Sequence, residues 1–519
     1  FPVRVQPNWL GGYGYATSVF YGDLFLYFPA MLRICGFTIQ DAYASYVLVI
    51  TAGTAIISYY CMKGVFQSSK LGLLLSGAYT LSAYRLFLTF ALTRCGMYTA
   101  YMLLPLVVYG VYRIFKTPKT GGWVYLSIAM TGILQTHLLS AEMTALGIFI
   151  TILMLLKDFL KNRVWLTFIK AVGISILINI GFLIPIAEFY LSGNYYCNAA
   201  GWDEKWNYIQ KGGVEISSLG NVFNQDLTRD SEIIDILLLG AAISFLIFMI
   251  IVGKKLIAEE LKCYKKIGIV SSIACLIFTY MGTMYFPWDF IEETMPFLRG
   301  IINSVQYPQR FFSVGTVLGL VSLGCLVKMV AGYREGRYKR YLLIAIGVLV
   351  LIPALWKISL FASESDAKKV YSTAALDSYN ISTKEYLPFG CNPDELVNEL
   401  PYSESVVISS FERRGLHLTM SLFNPSDRDE LVEVPLVYYP HYAATGENSR
   451  AIELLESENH TVVASLPAGY SGTVSVAFKT PIMWIIGDVV SELTCLGIVV
   501  YFAMLRKCKR QNTPNLLNK

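Results

Sequence analysis

Long apolar runs separated by short polar connections make up most of this chain. Each run holds roughly 15–25 apolar residues, which is the length a helix needs to cross the hydrocarbon core of a bilayer. The pattern predicts eleven spanning helices, although the closely spaced pair 123–137 and 140–156 could instead form one bent hairpin. The predicted spans lie near 42–61, 71–90, 97–115, 123–137, 140–156, 165–190, 232–252, 267–285, 311–331, 341–360 and 482–505.

Residues 361–480 follow a different pattern, in which short runs rich in Val, Thr and aromatic residues alternate with Asn-Pro, Pro-Ala-Gly and Ser-Gly turns. This spacing is typical of a small antiparallel β-sandwich. The runs are 405–411, 416–423, 431–439, 461–466 and 473–478. We therefore predict a mainly α, polytopic helical membrane protein with an extracytoplasmic β-sandwich domain.

The predicted domain boundaries follow from these two patterns and from the opening stretch Pro7–Arg33, which is rich in Tyr, Gly and Trp. A polar, glycine-bent loop fits poorly in hydrocarbon but well at the membrane surface, where aromatic rings lie at headgroup level. We expect it to cap the helices as a lid on the outer face. The domains are 1–40 for this loop, 41–360 for the helices, 361–480 for the β-rich domain, and 481–519 for a final helix and basic tail.

Composition agrees with a membrane protein: 55% of the residues are hydrophobic, 15% are charged, and the mean hydropathy is +0.50. The net charge of +5 is too small to indicate nucleic-acid binding. The ten cysteines are scattered without a CxxC pair, which indicates neither a disulfide framework nor a structural metal site. We expect no cofactor, and the sequence leaves a requirement for a divalent metal open.

Orientation is predicted from the basic residues in the connections between the spans. One alternating set of connections, together with the tail, holds 23 Lys and Arg, whereas the other set holds 6. Because basic connections stay inside, the first set is predicted to be cytoplasmic. The opening loop and the acidic segment 361–480, which holds 17 Asp and Glu against 8 Lys and Arg, are then outside. The predicted location is the bacterial plasma membrane, with a cytoplasmic C-terminus.

Several short motifs carry a resemblance to a known family: the opening FPVRVQPNWLGGYGYATSVFYGDLFLYFPAMLR, AYTLSAYRL, LLPLVVYGVYRIF, LQTHLLSAEMT, FPWD, QYPQRF, EYLP and VPLVYYPHY. The chain resembles the YfhO-like group of Gram-positive membrane proteins, also labelled 6-pyruvoyl-tetrahydropterin synthase-related, from Phe1 to about residue 505. The resemblance implies the GT-C superfamily of membrane glycosyltransferases, which take sugar from a polyprenyl-phosphate donor at the outer face.

In such enzymes the first outer loop carries an acid that acts as general base, just after the first spanning helix. The chain starts inside that loop, so the resemblance implies that the first helix and the principal acid lie upstream of Phe1, giving twelve spans in all. The chain departs from the family pattern after Arg94, where it reads Cys-Gly-Met-Tyr without an acid.

Glycosyl transfer from a phosphate-linked donor needs a carboxylate to deprotonate the acceptor hydroxyl and cations to hold the leaving phosphate. Asp23 is the only acid in the opening loop. It is either a catalytic residue, as the base or a hydrogen-bond acceptor for the substrate, or the N-cap of the helix that starts at Leu24. Arg85 and Arg94 are predicted to bind the phosphate, although Arg85 could instead extend to lipid headgroups. Trp9, Tyr13 and Tyr15 could stack on sugar rings.

Four more polar residues are predicted near the outer ends of helices. His137 and Glu142 either contact the substrate or hold a tight turn together, because buried polar groups need partners. Arg310 either contacts the substrate or anchors its helix at the interface. Glu188 completes the set.

Three functions remain open from the sequence. The first is a glycosyltransferase whose partners are the lipid bilayer, a lipid-linked sugar and an acceptor in the cell envelope. The second is a transporter or flippase for a lipid-linked substrate, for which charges near the bilayer midplane would be expected. The third is a non-catalytic envelope protein that binds partners through its β-domain.

Overall fold

The computed structural model describes residues 3–118, 121–197, 209–220, 234–252, 259–333, 337–363 and 384–511. The chain divides into two compact units. The helix unit comprises Asp23–Ser175 and Asp203–Tyr371, and the sheet unit comprises Phe1–Gly22, Ile176–Trp202 and Ser372–Lys519.

Helices dominate the described residues, as the apolar runs predict. In chain order they are α1 (Thr17–Phe20), α2 (Tyr27–Ile34), α3 (Ile39–Phe66), α4 (Ser69–Thr80), α5 (Ala83–Leu86), α6 (Cys95–Lys116), α7 (Gly122–Leu134), α8 (Leu138–Met154), α9 (Leu156–Leu160), α10 (Val164–Ser192), α11 (Ile236–Val252), α12 (Glu259–Met281), α13 (Trp288–Thr294), α14 (Arg299–Ser304), α15 (Phe312–Tyr333), α16 (Arg337–Ser363) and α17 (Ile482–Gln511).

Six of the described helices are long and apolar enough to cross a membrane: those at Ile39–Phe66, Cys95–Lys116, Val164–Ser192, Pro308–Gly332, Arg340–Ser363 and Ile482–Met504. A seventh span results if α4 and the helix that follows it count as one. This is compatible with a multi-pass membrane protein. Four of the eleven predicted spans are not among these seven: α7, α8 and α11 have only 13, 17 and 17 residues, and α12, although 23 residues long, is not one of the helices apolar enough to cross. At 1.5 Å per residue α7, α8 and α11 are shorter than the roughly 30 Å hydrocarbon core.

The break after α4 bends the chain by 43° between Ser69–Thr80 and Ala83–Ala91. The second segment starts as α5 and continues as a π-helical turn at Phe87–Ala91. Thr93 follows with a φ of 49° before α6 begins. The region that the sequence predicts as one continuous helix at 71–90 is therefore interrupted, and such irregular turns often occur at functional sites.

Close helix contacts form the core of the helix unit. A Cβ on Gly268 of α12 would lie 2.1 Å from the Phe245 ring of α11, so glycine is what lets these two helices approach. The rings of Tyr79 and Tyr101 stack with their centroids 4.2 Å apart, and the Tyr79 hydroxyl donates to the Tyr101 carbonyl oxygen. The Tyr79 hydroxyl is thus satisfied inside an otherwise apolar interior.

The β-rich segment forms one seven-stranded antiparallel sheet rather than the expected two-sheet sandwich, with the order β1-β2-β7-β4-β5-β6-β3. Alternate residues of each strand face one apolar core, as Leu418, Met420 and Leu422 of β2 do. The strands are β1 (Val407–Arg414), β2 (His417–Phe423), β3 (Glu430–Val437), β4 (Tyr442–Thr445), β5 (Ala451–Glu456), β6 (Thr461–Leu466) and β7 (Ser471–Phe478).

The opening segment belongs to the sheet unit. Gln6 and Tyr15 exchange two backbone hydrogen bonds that close a loop, and the Val437 amide of β3 donates to the Tyr13 carbonyl oxygen at 2.9 Å. Gly12 has a φ of 98°, and a Cβ there would lie 2.0 Å from Nη1 of Arg413. Only glycine therefore fits at this point of the loop.

Candidate functional site

Two arginines of the helix unit contact one aromatic ring. The guanidinium carbon of Arg94 lies 5.5 Å from the centroid of the Tyr307 ring, and that of Arg310 lies 5.2 Å from it. Both distances fall within the range of a cation–π interaction. Arg94 also directs Nη1 at the sulfur of Met97, 3.7 Å away. This cluster, Arg94, Tyr307 and Arg310, is called the arginine cluster below.

The chain around Pro308 places two members of the cluster. The residue before a proline favours extended backbone, and Tyr307 has a φ of −132° and a ψ of 113°. Pro308 then starts a single 3-10 turn, Pro308–Phe311, that leads into α15. Arg310 lies in this turn and is buried. Its Nη1 donates to the Val305 carbonyl oxygen at 2.9 Å, which fixes the position of the side chain.

His137 joins the arginine cluster electrostatically. It is the N-cap of α8, where Nδ1 accepts a hydrogen bond from the Ser140 amide at 3.1 Å. It lies in the turn between α7 and α8, outside the candidate spans. Burial, and then the positive charges of Arg310 and Arg94, hold the pKa of His137 well below its usual range. The ring is therefore neutral at pH 7 with its proton on Nε2, so that it can donate a hydrogen bond without adding charge.

Glu142 forms a hydrogen bond with Ser304 instead of the predicted pair with His137. Its Oε2 accepts a hydrogen bond from Oγ of Ser304 at 2.9 Å, which links α8 to α14. His137 instead uses Ser140 for the turn. Each of the two residues thus stabilises a separate local feature.

Arg85 occupies a separate polar environment. Its side chain is buried, and Nη1 donates to the Thr80 carbonyl oxygen at 3.0 Å while Nη2 donates to Oγ1 of Thr51 at 2.7 Å. Because Arg85 is 1% exposed, the alternative that it extends to lipid headgroups is wrong. These bonds also stabilise the break after α4, since Thr80 is the last residue of that helix.

Asp23 stands at the N-cap position of the 3-10 turn Leu24–Leu26, as one of its two interpretations expects. The turn is closed by the backbone, with the Leu26 amide donating to the Asp23 carbonyl oxygen, and the carboxylate makes no capping hydrogen bond to it. The Asp23 side chain therefore does not cap this turn, contrary to the N-cap interpretation.

The predicted aromatic lid residues belong to the sheet unit. Tyr13 and Tyr15 are 3% and 4% exposed, whereas Trp9 is 40% exposed and stacks on Tyr15 with ring centroids 5.9 Å apart. The Tyr15 hydroxyl accepts a hydrogen bond from the Tyr386 amide. Only Trp9 of the three therefore offers a large ring surface, and the lid function remains a prediction.

Glu188 also belongs to the sheet unit and joins two of its segments. Oε1 lies 2.7 Å from Nε2 of His441, and Oε2 accepts a hydrogen bond from Nε1 of Trp484 at 2.6 Å. Both carboxylate oxygens are thus engaged with the protein, which gives Glu188 a structural role.

The chain resembles one curated protein over almost its whole length. It is 22% identical over 580 residues to an uncharacterized protein of Lactococcus lactis subsp. cremoris (strain MG1363), covering 98% of this chain and 88% of that protein. No known family profile and no solved structure matches the chain. The resemblance to the YfhO-like group therefore stays an expectation.

Sequence reasoning missed Tyr307 and Asp235. Tyr307 lies in the QYPQRF motif, where a tyrosine between two polar residues and before a proline gave the only signal. The Asp235 carboxylate accepts hydrogen bonds from the amides of Ala83 and Leu237, at 3.1 and 3.0 Å. It thereby caps α5 and α11 together, a role that only the fold reveals.

No group of three His, Cys, Asp or Glu in the described part of the chain could hold a metal ion.

Proposed function

We propose that the protein is an integral membrane glycosyltransferase that binds the phosphate of a polyprenyl-phosphate-linked sugar at the arginine cluster. The observation that supports this most directly is the convergence of Arg94 and Arg310 on Tyr307. Two guanidinium groups match the charge and fork geometry of a phosphate better than any other pair of side chains. The sequence predicted that Arg85 and Arg94 bind the phosphate. The proposal keeps Arg94 and replaces Arg85 with Arg310.

Transfer would proceed by attack of an acceptor hydroxyl on the anomeric carbon while the bond to the phosphate oxygen breaks. The phosphate leaves with the electron pair, and the arginines stabilise the charge that develops on it. A carboxylate takes the hydroxyl proton. Asp23 is a secondary candidate for contact with the sugar, and neutral His137 can donate from Nε2 to a phosphate oxygen.

Arginine variants in the native membrane test this proposal. Arg94→Ala and Arg310→Ala should each lower donor affinity by about 10- to 150-fold, since each removes one charge-assisted contact. Lys replacements should restore part of the loss, because a point charge cannot reproduce the fork. Arg299→Ala is the matched control, since Arg299 is an exposed arginine on the same connection. The measurement is sugar transfer from polyprenyl-phosphate donors, with protein levels compared by immunoblot.

Two results would contradict the proposal in different ways. Normal transfer by both well-expressed alanine variants would exclude the arginine cluster as the phosphate site. Lack of transfer by the wild-type protein with every polyprenyl donor tested would exclude the transferase itself.

The break after α4 favours a second candidate, a transporter for a lipid-linked substrate. Interrupted spans with a buried charge are frequent at transporter binding sites, and Arg85 lies just beyond this break. Reconstituted protein should then move a fluorescent lipid-linked sugar between leaflets, and Arg85→Ala should abolish the movement. Equal rates in liposomes with and without the protein would exclude this candidate.

A further inference from the structure

A cavity of about 300 Å³ runs between the helices of the helix unit, and no residue of the arginine cluster lines it. Its walls come from α3, α6, α8, α12 and α15 and consist mainly of valine, leucine and isoleucine side chains. An apolar cavity of about 150 Å³ already binds small hydrocarbons, because water gains no hydrogen bonds inside it. This cavity is about twice that size.

The hydroxyl groups in the wall do not make the cavity polar. Oγ1 of Thr144 donates to the Ser140 carbonyl oxygen at 2.6 Å, and Oγ1 of Thr151 donates to the Gly147 carbonyl oxygen at 2.8 Å. The Ser271 hydroxyl donates to the Gly268 carbonyl oxygen at 3.3 Å or hydrogen-bonds with Oγ of Ser322 at 3.0 Å. These three hydroxyls thus have partners within the protein, and the rest of the wall is mainly hydrocarbon.

The two ends of the cavity differ. One end is closed by residues that are buried: Leu104, Thr144 and Val314 are 3%, 4% and 5% exposed. The other end reaches the surface at Lys116, Asp158 and Lys266, where the last two side chains are 45% and 54% exposed. The cavity is therefore a blind apolar channel with a charged mouth.

The dimensions of the channel match one lipid chain. Leu104 and Lys116 lie on α6, twelve residues apart, which corresponds to roughly 18 Å along the helix. One leaflet of a bilayer contributes about half of the roughly 30 Å hydrocarbon core. A single acyl chain of one leaflet would thus fill the channel from its mouth to its closed end.

The charges at the mouth indicate the charge of the lipid headgroup that would bind there. Lys266 pairs with Asp158, while Lys116 donates to the Tyr112 hydroxyl at 2.7 Å, which leaves a net positive charge at the opening. We propose that the channel binds one acyl chain of an anionic phospholipid from the surrounding membrane, with its phosphate at Lys116 and Lys266. This inference does not depend on the proposed glycosyl transfer.

Lysophosphatidylglycerol, which has one chain and an anionic headgroup, is the probe for the test, and lysophosphatidylcholine of the same chain length is its comparison. Native mass spectrometry of the purified, delipidated full chain should show one bound lysophosphatidylglycerol. The anionic lipid should bind about fivefold more tightly per contributing lysine than the zwitterionic one. The double variant Lys116→Gln/Lys266→Gln should lose the preference for the anionic lipid.

Thr151→Trp should abolish binding, because the larger side chain fills the channel. Leu153→Trp is the matched control on the same helix, since Leu153 is 52% exposed and does not line the cavity. Val111→Phe fills the channel from α6. It replaces Thr151→Trp in this test if Thr151→Trp does not fold, as judged by size-exclusion chromatography.

Cysteine protection gives a second readout in the wild-type protein. Cys263 lines the mouth and is exposed, so bound lysophosphatidylglycerol should slow its alkylation by a maleimide. Cys35 is exposed and does not line the channel, so its alkylation rate should not change. The proposal is overturned if wild-type protein binds no lysophosphatidylglycerol, binds both lipids equally, or if folded channel-filling variants bind as wild type does.

Discussion

Arg4 and Asp488 lie 484 positions apart in the chain, and Nη2 of Arg4 forms an ion pair with Oδ1 of Asp488 at 2.8 Å. The same nitrogen donates to the Gly181 carbonyl oxygen at 2.7 Å. The two charged side chains are 10% and 26% exposed. One arginine therefore joins the opening segment, α10 and α17 within the sheet unit.

Removing either charge should destabilise the sheet unit, because the remaining one would stay mostly buried without its counter-ion. We expect Arg4→Ala and Asp488→Ala each to lower the free energy of unfolding by about 1–3 kcal/mol, with the double variant losing less than the sum. Thermal unfolding of the purified protein checks this. Arg428→Ala is the control, since Arg428 pairs with Glu430 at the surface and is 78% exposed, so its loss should have little effect. Fully additive losses would exclude coupling between Arg4 and Asp488.

The opening segment should stabilise the β-sheet. Residues 384–480 expressed alone should give a β-rich circular dichroism spectrum, and joining residues 3–22 through a flexible linker should raise the melting temperature. The physical reason is the burial of Tyr13 and Tyr15, worth at least about 2 kcal/mol together.

The control is the same fusion with Tyr13→Ala and Tyr15→Ala, which should melt like the isolated sheet. A helical or disordered spectrum for residues 384–480 would contradict an independently folding sheet. An unchanged melting temperature in the fusion would contradict the stabilising role.

The helices could be predicted from sequence because each long apolar run carries its own signal, whereas the sheet depended on contacts between distant residues. The strands near 405–411, 416–423, 431–439, 461–466 and 473–478 were predicted, but β4 and β5 were missed. β4 has only four residues, and β5 carries two glutamates. Nothing in strand periodicity distinguishes one sheet from two, because that depends on how β4 bridges β7 and β5.

The candidate site shows the same limit. Arg85 and Arg94 were grouped because both were predicted near the outer ends of the spans, only nine residues apart, where two cations suit a phosphate. The π-helical turn at Phe87–Ala91 and the positive φ of Thr93 interrupt the helical path between them. Arg310 meets Arg94 only through tertiary structure, so no local pattern could pair them.

Orientation can be tested by cysteine labelling in intact cells, in a background without native cysteines. Because basic residues concentrate in one set of connections, we expect Leu455→Cys to react with an impermeant thiol reagent and Glu259→Cys to react only after lysis. Both positions are exposed in the structure, so access within the protein does not limit either reaction. The reverse labelling pattern would invert the predicted orientation.

Burial raises the pKa of the Cys391 thiol from its ordinary value of 9.0 to about 11. Since the thiolate is the reactive form, Cys391 should resist alkylation at pH 8 in the folded protein and react once the protein is unfolded. Cys35, which is exposed, should react in both states. The folded pKa is raised, so the contribution of Cys391 to stability is present below pH 9 and is lost between about pH 9 and 11. Rapid alkylation of Cys391 in folded protein, measured by mass spectrometry, would contradict its burial.

Tyr307 provides the sharpest test of how the arginine cluster works. If its ring holds Arg94 and Arg310 by cation–π contacts, Tyr307→Phe should keep transfer within about twofold of wild type, because the aromatic face remains. Tyr307→Leu keeps an apolar side chain of similar size but removes the ring. It should therefore lower donor affinity by about 5- to 30-fold, consistent with about 1–2 kcal/mol of lost positioning. The comparison separates two roles of the residue: equal loss in both variants would mean that the hydroxyl group, rather than the ring, is what the site needs.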